Sequence, residues 1–231
     1  MHARKLQYKD RWFCYLDLLG FKNLVHNTDV GRVIDLYDDA IAHLDRSALE
    51  KKPLGISYSW FSDTFILFSR GDSLQEFTLL EQAARLFFQR LILAEIPARG
   101  ALSHGKLYSN LERNIFIGEA LIEAYEYGEK QNWLGFLLAP SVHSKLSGTQ
   151  LDVRSLFNYR AVVTPGIITH PSPANVFAFA FNNTTTNGAN PLLSAIQRMQ
   201  RKAPYAYKQK YVNTEQFIHQ SKLRYEERAA T

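Results

Sequence analysis

The stretch WFCYLDLLGFK, residues 12–22, decides how the rest of the chain is read. Trp12, Phe13, Tyr15 and Leu16 make an aromatic-rich apolar run that suddenly carries a carboxylate, Asp17, and then turns through Leu18, Leu19, Gly20 and Phe21. A run of this composition bounded by glycine reads as a buried strand. A carboxylate inside such a strand is costly unless it is paired or holds a cation. A second stretch answers the first: ISYSWFSDTFILFS, residues 56–69, sets Asp63 between two β-rich halves. Two aspartates, each at a strand end or hairpin tip, are suited to share a divalent metal.

Outward from these two stretches, residues 1–10 form a polar lead-in and the first strand spans about 11–18. Val30, Val33, Ile34, Tyr37, Ile41 and Leu44 recur at three- and four-residue spacings, which predicts an amphipathic helix over 30–49, ended by Lys51-Lys52-Pro53. Two strands, 55–61 and 64–69, meet at Ser62-Asp63. Gly71-Asp72-Ser73 caps a helix over 73–94 whose apolar face is Phe77, Leu80, Ala84, Phe87, Phe88 and Leu91. After Pro97, ARGALSHG (98–105) reads as a fourth strand. The order βαββαβ is the ferredoxin-like or palm arrangement, in which the first strand lies beside the hairpin and brings Asp17 close to Asp63. A strand over 114–118, a helix over 119–132, a strand over 134–138 and a turn or short helix over 140–146 follow. Two more β-rich segments, 159–163 and 176–181, flank the loop 164–175. After the loop 182–190, two helices, 191–203 and 211–228, close the chain, parted by Pro204. The expected fold is therefore α+β, a palm core over 10–148 with a C-terminal extension of strands, helices and a basic tail over 149–231.

Composition bounds the function. The chain has 231 residues, 46% hydrophobic and 21% charged, which is ordinary for a globular protein. Its one cysteine, Cys14, excludes an internal disulfide framework and a cysteine-based zinc site, and reads as a small core residue. The histidines, His104 and His143 included, lack ligand spacing. The N-terminus has no apolar leader and no window approaches 18 uncharged apolar residues, so no membrane is expected and the cytoplasm is the expected compartment. The net charge of +5 resides in the tail from Arg198 onward, where eight Lys/Arg face three Glu. No nucleic-acid motif accompanies that tail, and a solvated basic helix is the simpler reading.

The residues also carry a resemblance. YLDLLGF resembles the F-x-D-I-x-G-F strand and loop of class III nucleotidyl cyclases, and FSDTFILFS resembles the hairpin that holds their second metal aspartate. ARGALSHG is similar to their fourth strand, and Ile117-Gly118-Glu119-Ala120-Leu121 to the G-x-x-V that opens the helix after strand five. The likeness runs over about 12–142. It implies a class III cyclase homology domain that makes a 3′,5′-cyclic nucleotide and diphosphate with two Mn²⁺ or Mg²⁺ ions per site. By this likeness Asp17, Asp63 and the Leu18 carbonyl hold the metals. Backbone N–H groups of Leu19, Gly20 and Phe21 face phosphate, with Lys22 adding charge. The site forms between two subunits of a homodimer.

Departures from the family pattern are as informative. Where adenylyl cyclases select adenine with a Lys and an Asp, this chain has Ser59 and Ile115; where the family has a transition-state Asn and Arg, it has Ile122 and Glu126. The compact pyrimidine cyclases of Pycsar anti-phage defence are similar in these respects. That likeness implies UTP as substrate, CTP ranking second, and an effector that senses the cyclic product. Ser59 faces the same way as Asp63 and would contact the base, while Tyr58 and Trp60 face the other way, as packing or as pocket lining. Arg99 and Lys130 are candidates to replace the missing Arg, although Arg99, on a central strand, requires a partner. Two other readings stand beside this one. One is a catalytically inactive cyclase-like domain for nucleotide sensing or dimerisation. The other is a diguanylate-cyclase relative, whose D-x-D-x-F-K strand is echoed by DLLGFK without its second Asp or its G-G-[DE]-[DE]-F hairpin.

Overall fold

Strand β1 (Lys9–Leu18) is buried from Arg11 onward, which is why its sequence stays apolar on both faces instead of alternating. The computed structural model describes residues 7–27, 31, 34–35, 38–39, 42, 55–156, 158–163, 166–168, 174–182 and 189–229. The helix expected over 30–49 lies for the most part outside these residues. After β1 come a short helix α1 (Phe21–Asn27) and the hairpin of β2 (Ser57–Phe61) and β3 (Thr64–Phe68). Helix α2 (Leu74–Leu93) leads to the long strand β4 (Ala98–Asn110), then β5 (Ile115–Gly118) and helix α3 (Glu119–Glu129). β6 (Phe136–Leu138), α4 (Pro140–Leu146), β7 (Tyr159–Ala161), β8 (Phe177–Phe179), α5 (Pro191–Lys202) and α6 (Lys208–Ala229) complete the order.

The strands form one mixed sheet in the order β2-β3-β1-β4-β6-β8-β7, with β5 also pairing β4. β1 lies antiparallel to both neighbours, so that Asp17 stands opposite Thr64 on β3 and opposite Arg99 on β4. This is the palm arrangement expected from the sequence, with β1 beside the hairpin. β4 runs five residues beyond the expected end at Gly105, because its second half, Leu107–Asn110, pairs with β5 while its first half pairs in parallel with β6.

Alternation along β1 sorts its side chains to two layers. Trp12, Cys14, Leu16 and Leu18 pack with Phe77, Leu80, Ala84, Phe87, Phe88 and Leu91 of α2 in the main core. Phe13 and Tyr15 face the other way, onto Ala120 and Ala124 of α3. Asp17 continues that second face. Helix α2 begins where Ser73 accepts from the Glu76 N–H at 3.2 Å and Glu76 accepts from the Ser73 N–H at 3.0 Å, a reciprocal cap. Helix α3 stops at Glu129, short of the expected 132, because Gln131 leaves the helix to bridge Ile168. Among the described residues no helix is long and apolar enough to cross a membrane.

Candidate active site

Asp17 is the penultimate residue of β1, 8% exposed, on the α3 face. Helix α3 can lie close to the strand there because a Cβ on Gly128 would sit 2.5 Å from the Tyr15 ring. The residue after that glycine, Glu129, therefore reaches the strand: Tyr15 Oη donates to Glu129 Oε1 at 2.8 Å. From β4, Arg99 Nε donates to Asp17 Oδ2 at 3.1 Å and Nη2 to Glu129 Oε2 at 2.6 Å. Its Nη1 donates to the carbonyls of Glu129 at 2.5 Å and Gln131 at 3.3 Å. The cost of a cation on a central strand is thus met by two carboxylates and two carbonyls. Gln131 is itself fixed, donating from Nε2 to Gly100 O at 2.9 Å and accepting from Trp133 Nε1 at 2.7 Å.

Burial pushes the Asp17 carboxyl up to about 6; the Arg99 charge opposes this, and Glu129 and Asp63 raise it further. The Tyr15 phenol is pushed up as well, by burial first and then by Asp17. Asp63 sits in the β2–β3 turn after Ser62, whose φ is +57°. The Leu18 N–H donates to the Asp63 carbonyl at 3.0 Å, so the backbone holds the turn against the end of β1. Among the described residues no ion pair engages Asp63.

Beyond Leu18 the chain turns at Gly20, whose φ of +75° favours glycine and leaves open space where a Cβ would stand. The Leu19 N–H donates to the Pro97 carbonyl at 2.7 Å, so of the three amides expected to face phosphate this one is already committed. Leu18 to Phe21 line a cleft of about 330 Å³ whose far wall includes Lys210 and Tyr211 of α6. Lys210 Nζ donates to Gln131 O at 3.3 Å. Lys22 is exposed on α1, and Lys130 is exposed at the end of α3.

A second cleft, about 210 Å³, lies on the α3 face among Phe13, Tyr15, Trp60, Phe116 and Tyr125, with Ser59 at its wall. Ser59 Oγ donates to Asn114 Oδ1 at 2.9 Å. Tyr58 packs on the main core and stacks on Trp60 at 6.2 Å, while Trp60 is 46% exposed. Ile115 and Ile122 are exposed and apolar.

The oxygen donors suit a hard divalent cation: two carboxylates, Asp17 and Asp63, with the Leu18 carbonyl between them in sequence. Among the described residues no three acidic, histidine or cysteine side chains converge on one point, so any further ligands would come from substrate and water. Sequence reasoning named Asp17, Asp63 and Arg99 but missed Glu129, Gln131 and Lys210. Glu129 had one signal: a carboxylate in the last turn of a helix opposes the helix dipole and needs a partner. Lys210 had none, being one of eight basic residues in the tail.

No protein-family model and no curated protein sequence matches the chain. Solved structures do. The adenylyl cyclase CyaB from P. aeruginosa matches with a TM-score of 0.54 at 10% identity, over 80% of this chain and 99% of that one. The catalytic core of a rhodopsin-guanylyl cyclase with converted specificity, in complex with ATPαS, matches with a TM-score of 0.53 at 11% identity, over 74% and 95%. The non-canonical dimeric guanylyl cyclase domain of the RhoGC fusion protein from the aquatic fungus Blastocladiella emersonii gives 0.53 at 10%, over 74% and 94%. At such identities the likeness is one of fold. The chain has the mixed α+β, palm-like fold of class III nucleotide cyclase domains.

Proposed function

We propose that this chain is a uridylate cyclase, converting UTP to 3′,5′-cyclic UMP and diphosphate. The observation that supports the cyclase reading is the Leu18 N–H to Asp63 O hydrogen bond at 3.0 Å, which fastens the turn bearing Asp63 to the end of β1 that bears Asp17, on a cyclase-like fold. Bound Mn²⁺ or Mg²⁺, two per site, would supply Lewis-acid charge to the ribose 3′-oxygen and the triphosphate. Asp17, Asp63 and the Leu18 carbonyl would hold them. Arg99, itself held by Glu129, orients Asp17 through its Oδ2. The turn at Gly20 lets backbone approach the phosphates. In the reaction the 3′-oxygen bonds to the α-phosphorus, the bond from that phosphorus to the β-phosphate oxygen breaks with its electron pair, and the 3′-hydroxyl proton leaves to water.

Pyrimidine choice is supported by the aromatic cleft, whose wall offers the neutral Ser59, bonded to Asn114, where the resembled adenylyl cyclases carry a Lys. The base contacts of one protomer would serve the metal site of another in a homodimer, and the exposed Trp60, Phe61, Ile117, Ile122 and Tyr125 supply an apolar face for it. The cyclic product would act in the cytoplasm on a sensing effector in anti-phage defence, a role that rests on the sequence resemblance. Residues 10–148 would form the catalytic part and 149–231 its supporting extension.

One observation favours a second reading, a cyclase-like domain that binds nucleotide without turnover: Arg99 already holds Asp17 Oδ2. Incubation with each of the four ribonucleoside triphosphates and Mn²⁺, followed by mass spectrometry, separates them. Cyclic UMP supports the proposal, cyclic CMP corrects the base, and cyclic AMP or GMP removes the pyrimidine argument. Metal-dependent binding without product supports the second reading.

A further inference from the structure

Lys210 belongs to the first turn of α6, far from β1 in sequence, yet its ammonium lies at the catalytic end of the sheet. It shares the Gln131 carbonyl with Arg99, each donating at 3.3 Å. Two cations on one oxygen repel: burial and then the Arg99 charge lower the Lys210 pKa, while Glu129 and Asp17 raise it. Gln131 O is the one hydrogen-bond acceptor of Lys210 among the described residues, and an ammonium carries three donors. Lys210 also lines the 330 Å³ cleft opposite Leu18, Leu19, Gly20 and Phe21. The other cation of that cleft, Lys202, is held by Glu95 at 2.8 Å, and Arg99 is held by Asp17 and Glu129.

Among the described residues that line this cleft, an anion therefore meets one cation, Lys210, that no carboxylate has claimed. We propose that Lys210 is a substrate-binding residue whose ammonium takes oxygens of the β- and γ-phosphates and then of the departing diphosphate. The inference rests on the cyclase reading and deepens it, assigning to the C-terminal helix the charge that Arg99, already paired, does not supply. Negative charge accumulates on the diphosphate as the α-phosphorus to oxygen bond breaks, and a preplaced ammonium stabilises it.

The test compares Lys210→Met, Lys210→Gln and Lys210→Arg with wild type. Calorimetry measures binding of inorganic tripolyphosphate with Mn²⁺, steady-state kinetics measure KM, kcat and inhibition by diphosphate, and thermal melts check the fold. The expected result is a loss of about 10- to 100-fold in tripolyphosphate affinity for Met and Gln, with a parallel weakening of diphosphate inhibition. Arg should recover most of both, and the melting temperatures should stay close to wild type. A purely structural lysine would move the melting temperature and leave tripolyphosphate affinity alone, and that result overturns the proposal. So does a wild-type protein that does not bind tripolyphosphate, or a Met variant that cyclises nucleotide as wild type does. If wild type makes no cyclic nucleotide yet binds tripolyphosphate through Lys210, the anion site stands and the cyclase reading falls.

Discussion

The two aspartates that the fold brings together live in opposite surroundings. Asp17 lies on a central strand, buried and bonded to Arg99, inside a network that ties β1, β4 and α3. Asp63 lies in a hairpin turn, half-buried, its backbone rather than its side chain fastened to β1. The first carboxylate is held in place at a cost in stability, because burial disfavours its charge. The pair thus combines one carboxylate held by side-chain bonds with one carried on a turn that only backbone fastens to β1.

The largest effect that would test this contrast is on turnover. Asp17→Ala and Asp63→Ala should each lower kcat by about 10³-fold or more, as loss of a metal ligand requires. Their melts should differ: Asp63→Ala should stay within about 0.5 kcal/mol of wild type, as surface changes do. Full cyclase activity in either variant would break the comparison.

Next in size is Glu129→Gln. It removes one of the two carboxylates on Arg99 and the carboxylate acceptor for Tyr15, and it removes a negative charge that raises the Asp17 pKa. Turnover should fall about 10- to 100-fold, as for loss of an outer-shell partner, with the acid limb of the pH–rate profile moving to lower pH. An unchanged profile would detach Glu129 from Asp17.

The pH dependence of stability sharpens the same point. The folded-state pKa of Asp17, about 6, lies above its ordinary 3.8, so the folded chain binds this proton more tightly than the unfolded one. Its contribution is full below pH 4, is lost as pH rises to about 6, and is flat above; the span corresponds to at most roughly 3 kcal/mol. In metal-free protein, Asp17→Asn should erase that slope in melts taken between pH 4.5 and 7.5. Smaller still, Ser59→Ala removes one hydrogen bond to Asn114 and should change the UTP to CTP preference by roughly tenfold or less. Smallest is Ser73→Ala, which removes a helix cap far from both aspartates. It should cost about 1 kcal/mol, roughly 2–4 °C in Tm, with kcat unchanged.

The sheet was legible in the sequence because its strands announce themselves locally. The aromatic run of β1, the two halves around Ser62-Asp63 and the α2 face from Phe77 to Leu91 each follow from spacing alone, and their order predicts that β1 lies beside the hairpin. The rest of the network around Arg99 was not legible, because Glu129 and Lys210 sit at helix ends that tertiary packing brings to Arg99 and to the Gln131 carbonyl it shares. No period in the sequence encodes such a meeting. The end of β4 was misread for a related reason: Gly105 looks like a stop, and only pairing with β5 keeps the strand extended to Asn110.

The sheet order has a consequence for synthesis. β6 pairs on one side with β4 and on the other with β8, whose residues lie some 40 positions later in the chain. While the ribosome is still making that interval, a nascent palm core would present β6 as a naked edge, open to another nascent chain. β8 is thus a built-in shield that arrives late, and a stop codon introduced just after α4 would leave translation products prone to clumping.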